Sequence, residues 1–474
     1  MKRIAFHTLG CKLNFTESSA LAQRFEQAGF TVVPADTQAD IYVINTCTVT
    51  AEAEKKCRQF IHRLHRLHPQ AEIAVTGCFA ELRSEELRAM AGVSHVLGTA
   101  DKTRLIELII NGVDRHAAAA DAADTAVAPP VDSAAFTPLY SAKGRTRSFF
   151  KIQDGCDNFC TYCAIPYARG RSRSASIAQT VETARRIAAD GFKEVVFTGV
   201  NIGDFGRKNG ERLVDLLRTL LRIDGIERWR LSSIEPDLLD SEIIELVAGE
   251  PKLMPHFHIP LQAGADRVLR EMHRHYDTAF FARKVEEIRR CLPDAFIAAD
   301  VIVGFPSETA QDFEDGYRFI ESLPISALHV FSYSARPEAV AYRYENAYAP
   351  GEKEERSRRL HALSDAKKAA FYERFSGQSA VVLWESELFR PTGRKSDAGT
   401  DDAAADGKTR SGQADDCMLG YTENYLRVAA PYDETKINTL ESVLLDHAYL
   451  HPDKDRVMKI RPTETRANLQ ASCK

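Results

Sequence analysis

No stretch of this 474-residue chain approaches the ~20 uncharged apolar residues that a membrane-spanning helix needs, so no membrane association is expected. The start also lacks the apolar run of a secretory signal. Met1 to Ser19 turns polar at His7 and carries Lys12, Asn14 and Glu17, which makes a cytoplasmic location the expectation. Nor is there an excess of positive charge. The 62 Lys and Arg stand against 67 Asp and Glu, for a net charge of −5. A uniformly basic polyanion binder is thereby excluded, though a local basic surface is not. No fixed-period repeat of solenoid type is present. With 44% hydrophobic and 27% charged residues, the composition is that of a globular chain, and the length suits about three domains. What the chain does have is ten cysteines. In a reducing compartment they point away from a disulfide scaffold and toward metal binding or catalysis.

Two segments interrupt the globular pattern. His116 to Ala135 has ten alanines, Pro129-Pro130 and no recurring apolar face. It reads as the main part of an interdomain linker spanning residues 116–142. Residues 391–416 have alanine as their only apolar type and read as a disordered insertion. Before the linker, residues 1–115 alternate strand and helix. Arg3–Phe6, Ile41–Ile44 and Ile73–Val75 are predicted strands, and Glu17 to Gly29 is a predicted helix. Such alternation implies an open parallel sheet with crossover helices. In residues 143–375 it recurs six times, with predicted strands at 149–152, 194–198, 229–231, 256–261, 296–303 and 327–331. Six βα units are too few for an eight-fold barrel, so a partial (β/α)6 barrel is expected, closed by a charged helix over 352–375. From Ser376 to 463, Ala380–Trp384 and Tyr425–Val428 have β-type composition and predict a small β-barrel holding the insertion. The fold class is α/β throughout the first two regions.

The densest chemistry is Cys156-Asp157-Asn158-Phe159-Cys160-Thr161-Tyr162-Cys163, a C-x3-C-x2-C run after the first central strand. Three thiolates in eight residues can wrap one corner of a cubane iron–sulfur cluster and leave one iron open. A zinc site is the alternative, but it wants a fourth Cys or His that the flanking residues do not supply. A second set is dispersed. Cys11, Cys47 and Cys78, 36 and 31 residues apart, each follow a predicted N-terminal strand. Loops leaving parallel strands gather at one sheet edge, so these thiols are predicted to converge. Gly10 and Gly77 beside them would allow close backbone approach to a cofactor. Three unrelated core cysteines are the alternative. Cys57 and Cys291 lie in helical stretches and read as packing residues, Cys417 borders the insertion, and Cys473 is near the end of the sequence. Ile61 to His68, which places Ile61, Leu64 and His68 on one helical face, reads as an amphipathic surface helix, not a metal site, despite His62, His65 and His68.

The C-x3-C-x2-C run with Tyr162 before its last cysteine resembles the signature of the radical S-adenosylmethionine (SAM) superfamily. With the second triad, the whole chain resembles a radical-SAM methylthiotransferase: an N-terminal methylthiotransferase domain, a central radical-SAM domain, and a C-terminal TRAM domain marked by Gly420 to Tyr425. Thr8 to Asn14, Asn45 to Thr50 and Thr198 to Gly203 are most similar to the threonylcarbamoyladenosine tRNA branch. The resemblance implies two [4Fe-4S] clusters, SAM as methyl donor and radical source, tRNA as substrate through its anticodon stem-loop, and an electron donor such as flavodoxin or ferredoxin. The implied product carries a methylthio group on carbon-2 of the modified adenosine. The alternatives are methylthiolation of a ribosomal-protein side chain and a non-catalytic iron–sulfur RNA-binding sensor.

The resemblance further implies SAM contacts at Tyr162, Gly199, Asn201, Ser233, Glu235, Gln262, Val301 and Phe331, all near predicted strand ends. Between Lys143 and Ser174, seven Lys and Arg stand against two Asp, which predicts a local basic surface. Arg169 and Arg171 within it are candidate contacts for a substrate carboxylate. Tyr421 and Tyr425, beside Arg427 in the last region, are candidates for stacking on RNA bases.

Overall fold

Ile41–Thr46 is buried along its whole length, as a strand must be when both faces of its sheet are covered. In the computed structural model, which describes residues 1–111, 136–349, 351–389, 417–450 and 456–461, this strand (β3) is the centre of a five-stranded parallel sheet. β1 (Arg3–Thr8), β2 (Thr31–Val33), β4 (Glu72–Gly77) and β5 (Val93–Leu97) complete it in the order β2-β1-β3-β4-β5. β2 and β5 escape the sequence pattern because β2 is only three residues long and both are mostly half-buried. The first helix, α1, starts at Lys12 and runs to Gln27, not from Glu17. Glu17 therefore lies inside the helix, where it is buried instead of exposed.

The central region carries six parallel strands, β7 (Ser148–Lys151), β10 (Glu194–Thr198), β11 (Arg228–Arg230), β12 (His256–Gln262), β13 (Phe296–Val303) and β14 (Ala327–Ser332). A short β6 (Leu139–Tyr140) pairs antiparallel at the β7 edge. The remaining short pair is β8 (Gln153–Asp154) with β9 (Arg173–Ser174). Two sheets, β11-β10-β7-β6 and β12-β13-β14, meet through the bridge between Ser233 and His258, giving an open partial barrel. Phe150, Phe197, Trp229, Ile259, Val301 and Leu328 pack outward in one core with the helices. Alternate residues must point the other way. Phe149, Lys151, Arg230, His258, Asp300 and His329 therefore line the concave face.

The last region is a closed barrel in the order β15-β16-β17-β19-β18, formed by β15 (Ser379–Phe389), β16 (Cys417–Thr422), β17 (Arg427–Pro431), β18 (Leu440–Leu450) and β19 (Arg456–Arg461). Tyr425 and Leu426, expected within a strand, instead form the turn before β17, with Tyr425 at φ 68°. This barrel seals the N-terminal end of the concave face. Phe296, Ala298 and Ala327 share a core with Val382, Trp384 and Leu426, and with Phe371 and Tyr372 of the helix Glu352–Glu373. Most of the predicted linker and all of residues 391–416, with Cys473, lie outside the described residues.

The N-terminal region closes the open side of the central barrel. α1 approaches the β7 edge, where Lys151 bonds Glu17 at 2.7 Å. At the opposite edge, beyond β14, Arg336 pairs with Glu54 at 2.7 Å, Arg83 pairs with Glu338, and the Ala51 N–H donates to Ser334 Oγ at 3.0 Å. The first and last strands of the partial barrel are thus spanned by one body. Among the described residues no helix is long and apolar enough to cross a membrane.

Candidate active site

Cys11, Cys47 and Cys78 follow β1, β3 and β4, three neighbouring strands, and so come together at one sheet edge as the spacing predicts. Cys47 and Cys78 are buried, while Cys11, the residue that opens α1, is exposed. Asn14 ties the two loops together, donating to Leu9 O at 2.8 Å and Thr46 O at 3.0 Å. Gly10 is required here for a different reason from the one expected. At φ 110°, an added Cβ would sit 2.7 Å from the Cβ of Cys47, so the close approach is to the neighbouring cysteine itself. Burial pushes the Cys47 thiol up to about 12, and the nearby Cys78 adds to the effect. Burial also raises Cys78, opposed by the charges of Arg169 and Lys102.

Those two cations belong to a buried charge network that crosses from the N-terminal to the central region. Arg169 donates to Glu17 at 3.0 Å, to Asp154 at 2.9 Å and to Asn14 Oδ1 at 2.6 Å. Lys151 bridges Glu17 and Asp154, each at 2.7 Å, and Lys102 pairs with Glu17. Arg173 also pairs with Asp154 at 3.1 Å, so four cations against two carboxylates leave two positive charges in surplus beside the three thiols. That surplus suits a thiolate-bound, negatively charged group.

The second triad sits on the loop after β8. Gly155, at φ 71°, turns the chain into Cys156, where an added Cβ would meet Arg171 O at 2.0 Å. Gln153 holds the loop shut. Its amide donates to Gly155 O at 2.8 Å and Ser172 Oγ at 3.0 Å, and its oxygen accepts from the Asn201 N–H at 2.9 Å. Arg274 donates to Cys160 Sγ at 3.1 Å and pairs with Glu235, with Tyr162 OH at 3.5 Å. Burial raises Cys156 to about 11 and Cys163 to about 12. A metal bound here would have to displace these protons.

Both triads fit a multi-iron cluster better than one ion. A tetrahedral zinc with Zn–S near 2.3 Å holds its sulfurs about 3.8 Å apart. Among the described residues, the only three-ligand set within 4.8 Å of one another is His258, Asp300 and His329. The thiol triads are therefore wider than a zinc site, as ligands distributed over a cubane are.

Two of the polar residues expected around SAM connect to the second triad, Asn201 through Gln153 and Glu235 through Arg274. Thr198 Oγ1, Asn201 Nδ2 and Ser232 Oγ are buried without a partner, which marks room for a polar ligand. Ser233 Oγ bonds His258 Nδ1 at 2.8 Å. His258 and His329 bond Asp300 at 2.6 and 3.2 Å; although burial opposes it, these bonds hold the Asp300 carboxyl well below its usual range. Gln262 stands at φ 70° beside a bulge in β12. Gly199 is needed because an added Cβ would lie 2.8 Å from Gln153 Oε1. Val301 turns its side chain outward into the helical core, so only its backbone can face a ligand, whereas Phe331 is exposed on the concave side.

Two expectations change. The seven basic residues between Lys143 and Ser174 do not form a basic surface. Arg147, Lys151 and Arg169 are buried, and six of the seven have carboxylate partners, Arg145 being the exception. Arg169 in particular is engaged by Glu17, Asp154 and Asn14, not open to a substrate carboxylate. Arg171 is half-exposed, 3.7 Å from Asp157 and over the Phe159 ring. The aromatics of the last barrel are likewise turned inward. Tyr421 and Tyr425 stack at 4.8 Å, with Arg147 4.2 Å from the Tyr421 ring and Arg230 4.9 Å from that of Tyr425. Arg228 and Arg230 also donate to Tyr421 O, Thr422 O and Glu423 O. These rings dock the barrel to the central region.

Residues 3–98 match the Uncharacterized protein family UPF0004, and residues 150–320 match the Radical SAM superfamily. The threonylcarbamoyladenosine tRNA methylthiotransferase MtaB of Bacillus subtilis (strain 168) is 37% identical over 456 residues, covering 94% of this chain and 93% of that one. The enzyme of the same name from Aquifex aeolicus (strain VF5) is 37% identical over 388 residues, 81% of this chain and 94% of its own. A tRNA-2-methylthio-N(6)-dimethylallyladenosine synthase of Cereibacter sphaeroides (strain ATCC 17029 / ATH 2.4.9) is 33% identical over 389 residues, covering 81% and 87%. The two matched regions are the two that carry the thiol triads, and the identity extends over nearly the full length: the chain belongs to the radical-SAM tRNA methylthiotransferase family.

Proposed function

We propose that this chain is an enzyme that installs a methylthio group on carbon-2 of N6-threonylcarbamoyladenosine in the anticodon stem-loop of tRNA. One observation carries the reading: Arg169, just after the Cys156–Cys163 loop, bonds Glu17 of the helix that follows Cys11, which supports both triads serving one space. The choice of base follows relatives named for threonylcarbamoyladenosine at 37% identity.

Cys156, Cys160 and Cys163 would hold one [4Fe-4S] cluster, and Cys11, Cys47 and Cys78 a second. When bound, these clusters and SAM would supply one-electron chemistry and the methyl group. The protein's part is placement. Gln153 fixes the cysteine loop against Asn201, and Arg274 links Cys160 to Glu235. Asn201, Ser233, Glu235 and Gln262 would offer polar groups to SAM, and Tyr162, the backbone at Val301 and the ring of Phe331 would complete its site. A small donor of the flavodoxin or ferredoxin type supplies electrons. Residues 1–115, 143–375 and 376–463 are assigned as the three domains.

The test is expression in a bacterial host stripped of its own methylthiotransferases, followed by mass spectrometry of tRNA nucleosides. Appearance of 2-methylthio-threonylcarbamoyladenosine supports the proposal. An unchanged nucleoside profile from soluble, cluster-loaded protein contradicts it.

A further inference from the structure

The charge census around the site leaves two cations without counterions. Lys12 is the first residue of α1, directly after Cys11, and Arg145 precedes β7. Both are exposed, and among the described residues neither side chain has a hydrogen-bond or ion-pair partner. They nonetheless meet at one ring: Lys12 Nζ lies 6.0 Å and the Arg145 guanidinium carbon 5.5 Å from the centre of Phe149. Arg145 also stacks on Phe15 at 4.8 Å, which holds its fork against α1. Every other Lys or Arg of 143–174 is neutralised by Asp or Glu. Phe149 lies on the concave face of the barrel, so this pair sits where the N-terminal region closes over it. The Lys12 charge also reaches the floor of that space, where, after burial and Arg230, it contributes to lowering His256.

We infer that Lys12 and Arg145 together form an anion-binding site that takes the carboxylate of the threonylcarbamoyl group. The inference rests on the reading of the substrate given above. A point charge and a planar fork gathered at one ring suit a carboxylate, and cations desolvated by substrate gain a strong, charge-assisted contact. The carboxylate lies only a few bonds from the purine, and Lys12 is one residue from an exposed cluster ligand. Binding there would bring carbon-2 toward the Cys11 triad. RNA phosphates are the other anion available, but they lie on the ribose side of the base.

The test uses the cluster-loaded enzyme and three anticodon stem-loops: one with threonylcarbamoyladenosine, one with its methyl ester, and one with unmodified adenosine. Binding is read by fluorescence anisotropy and turnover by nucleoside mass spectrometry. The wild type is expected to prefer the free acid over the ester, and Lys12→Gln to lose roughly 10- to 100-fold in affinity for the acid alone. Lys12→Arg should restore part of the preference, and Arg145→Gln should reproduce part of the loss. Equal binding of acid and ester by the wild type overturns the site. So does a loss in Lys12→Gln that is the same for all three RNAs, which marks a phosphate contact. Iron content and melting temperature equal to wild type exclude misfolding as the cause. Failure of the substrate reading shows separately, as absent turnover of the acid RNA by wild type whatever its binding preference.

Discussion

Arg169, six residues after Cys163, donates to Glu17, six residues after Cys11, at 3.0 Å. Each triad is thereby tied through a short rigid segment to one buried ion pair, and the separation between them is set by packing, not by the linker. Removing Glu17 takes the shared counterion from Arg169, Lys102 and Lys151, and leaving a buried charge unpaired typically costs about 3–5 kcal/mol. Glu17→Gln should destabilise the apo-protein by that order, read as the shift in the urea midpoint, whereas Arg169→Met should cost less, because Lys102 and Lys151 still pair with Glu17. The double substitution should cost less than the sum of the two single ones. Additive effects would mean that the pair does not couple the two regions.

Acid should loosen the same joint. Burial alone would raise the Glu17 carboxyl, but Arg169, Lys102 and Lys151 hold it well below its ordinary value of 4.5. A carboxylate whose pKa is depressed on folding contributes stability that is complete above the ordinary value and is lost as pH falls through the folded one. Urea midpoints should therefore fall as pH drops below 4.5, and Glu17→Gln should flatten that dependence. A wild-type curve as flat as the variant's would contradict the assignment.

The two triads should load independently. If each holds a four-iron cubane, anaerobic reconstitution gives about eight irons per chain, and either Cys156→Ala or Cys11→Ala gives about four. Cys156→Ala should lose SAM cleavage. Cys11→Ala should keep it and lose methylthiolation. Loss of all iron in either variant would falsify the two-cluster reading.

Arg274 places a cationic N–H 3.1 Å from Cys160 Sγ. Hydrogen bonds and positive charge at a cluster sulfur favour the reduced state. Arg274→Leu should accordingly lower the reduction potential of the Cys156–Cys163 cluster in an EPR-monitored titration and leave that of the other cluster unmoved. A shift in both, or in neither, would show that Arg274 acts on the fold alone.

How far the sequence reaches depends on the kind of signal. Period and spacing locate β1, β3, β4 and all six central strands, because buried parallel strands are short apolar runs with turn signals around them. The same regularity brings Cys11, Cys47 and Cys78 to one edge. What pattern cannot show is where charge goes. Lys151 is one residue of a predicted strand and Arg169 one cation of a basic run, yet both are buried with Asp154 in one network with Glu17, 134 residues or more away. The basic cluster at 143–174 is real as a count, but three of its members are buried, and its partners come from α1, β10 and the last barrel as well as from Asp154 and Asp157 within it. Gln153 and Arg274 were invisible for the same reason: their roles exist only through contacts made by folding.

The most direct measurement sets the two modified bases against each other. Purified, cluster-loaded enzyme is given SAM, a reductant and an equimolar mixture of anticodon stem-loops bearing threonylcarbamoyladenosine or isopentenyladenosine, and the nucleosides are resolved by mass spectrometry. A site that recognises a carboxylate should reject an apolar group, because binding it would cover the Lys12 and Arg145 charges with no counterion in place. The expected result is a 2-methylthio product from the threonylcarbamoyl RNA in large excess over the other. Equal turnover of the two, or product from the isopentenyl RNA only, would contradict the substrate assignment.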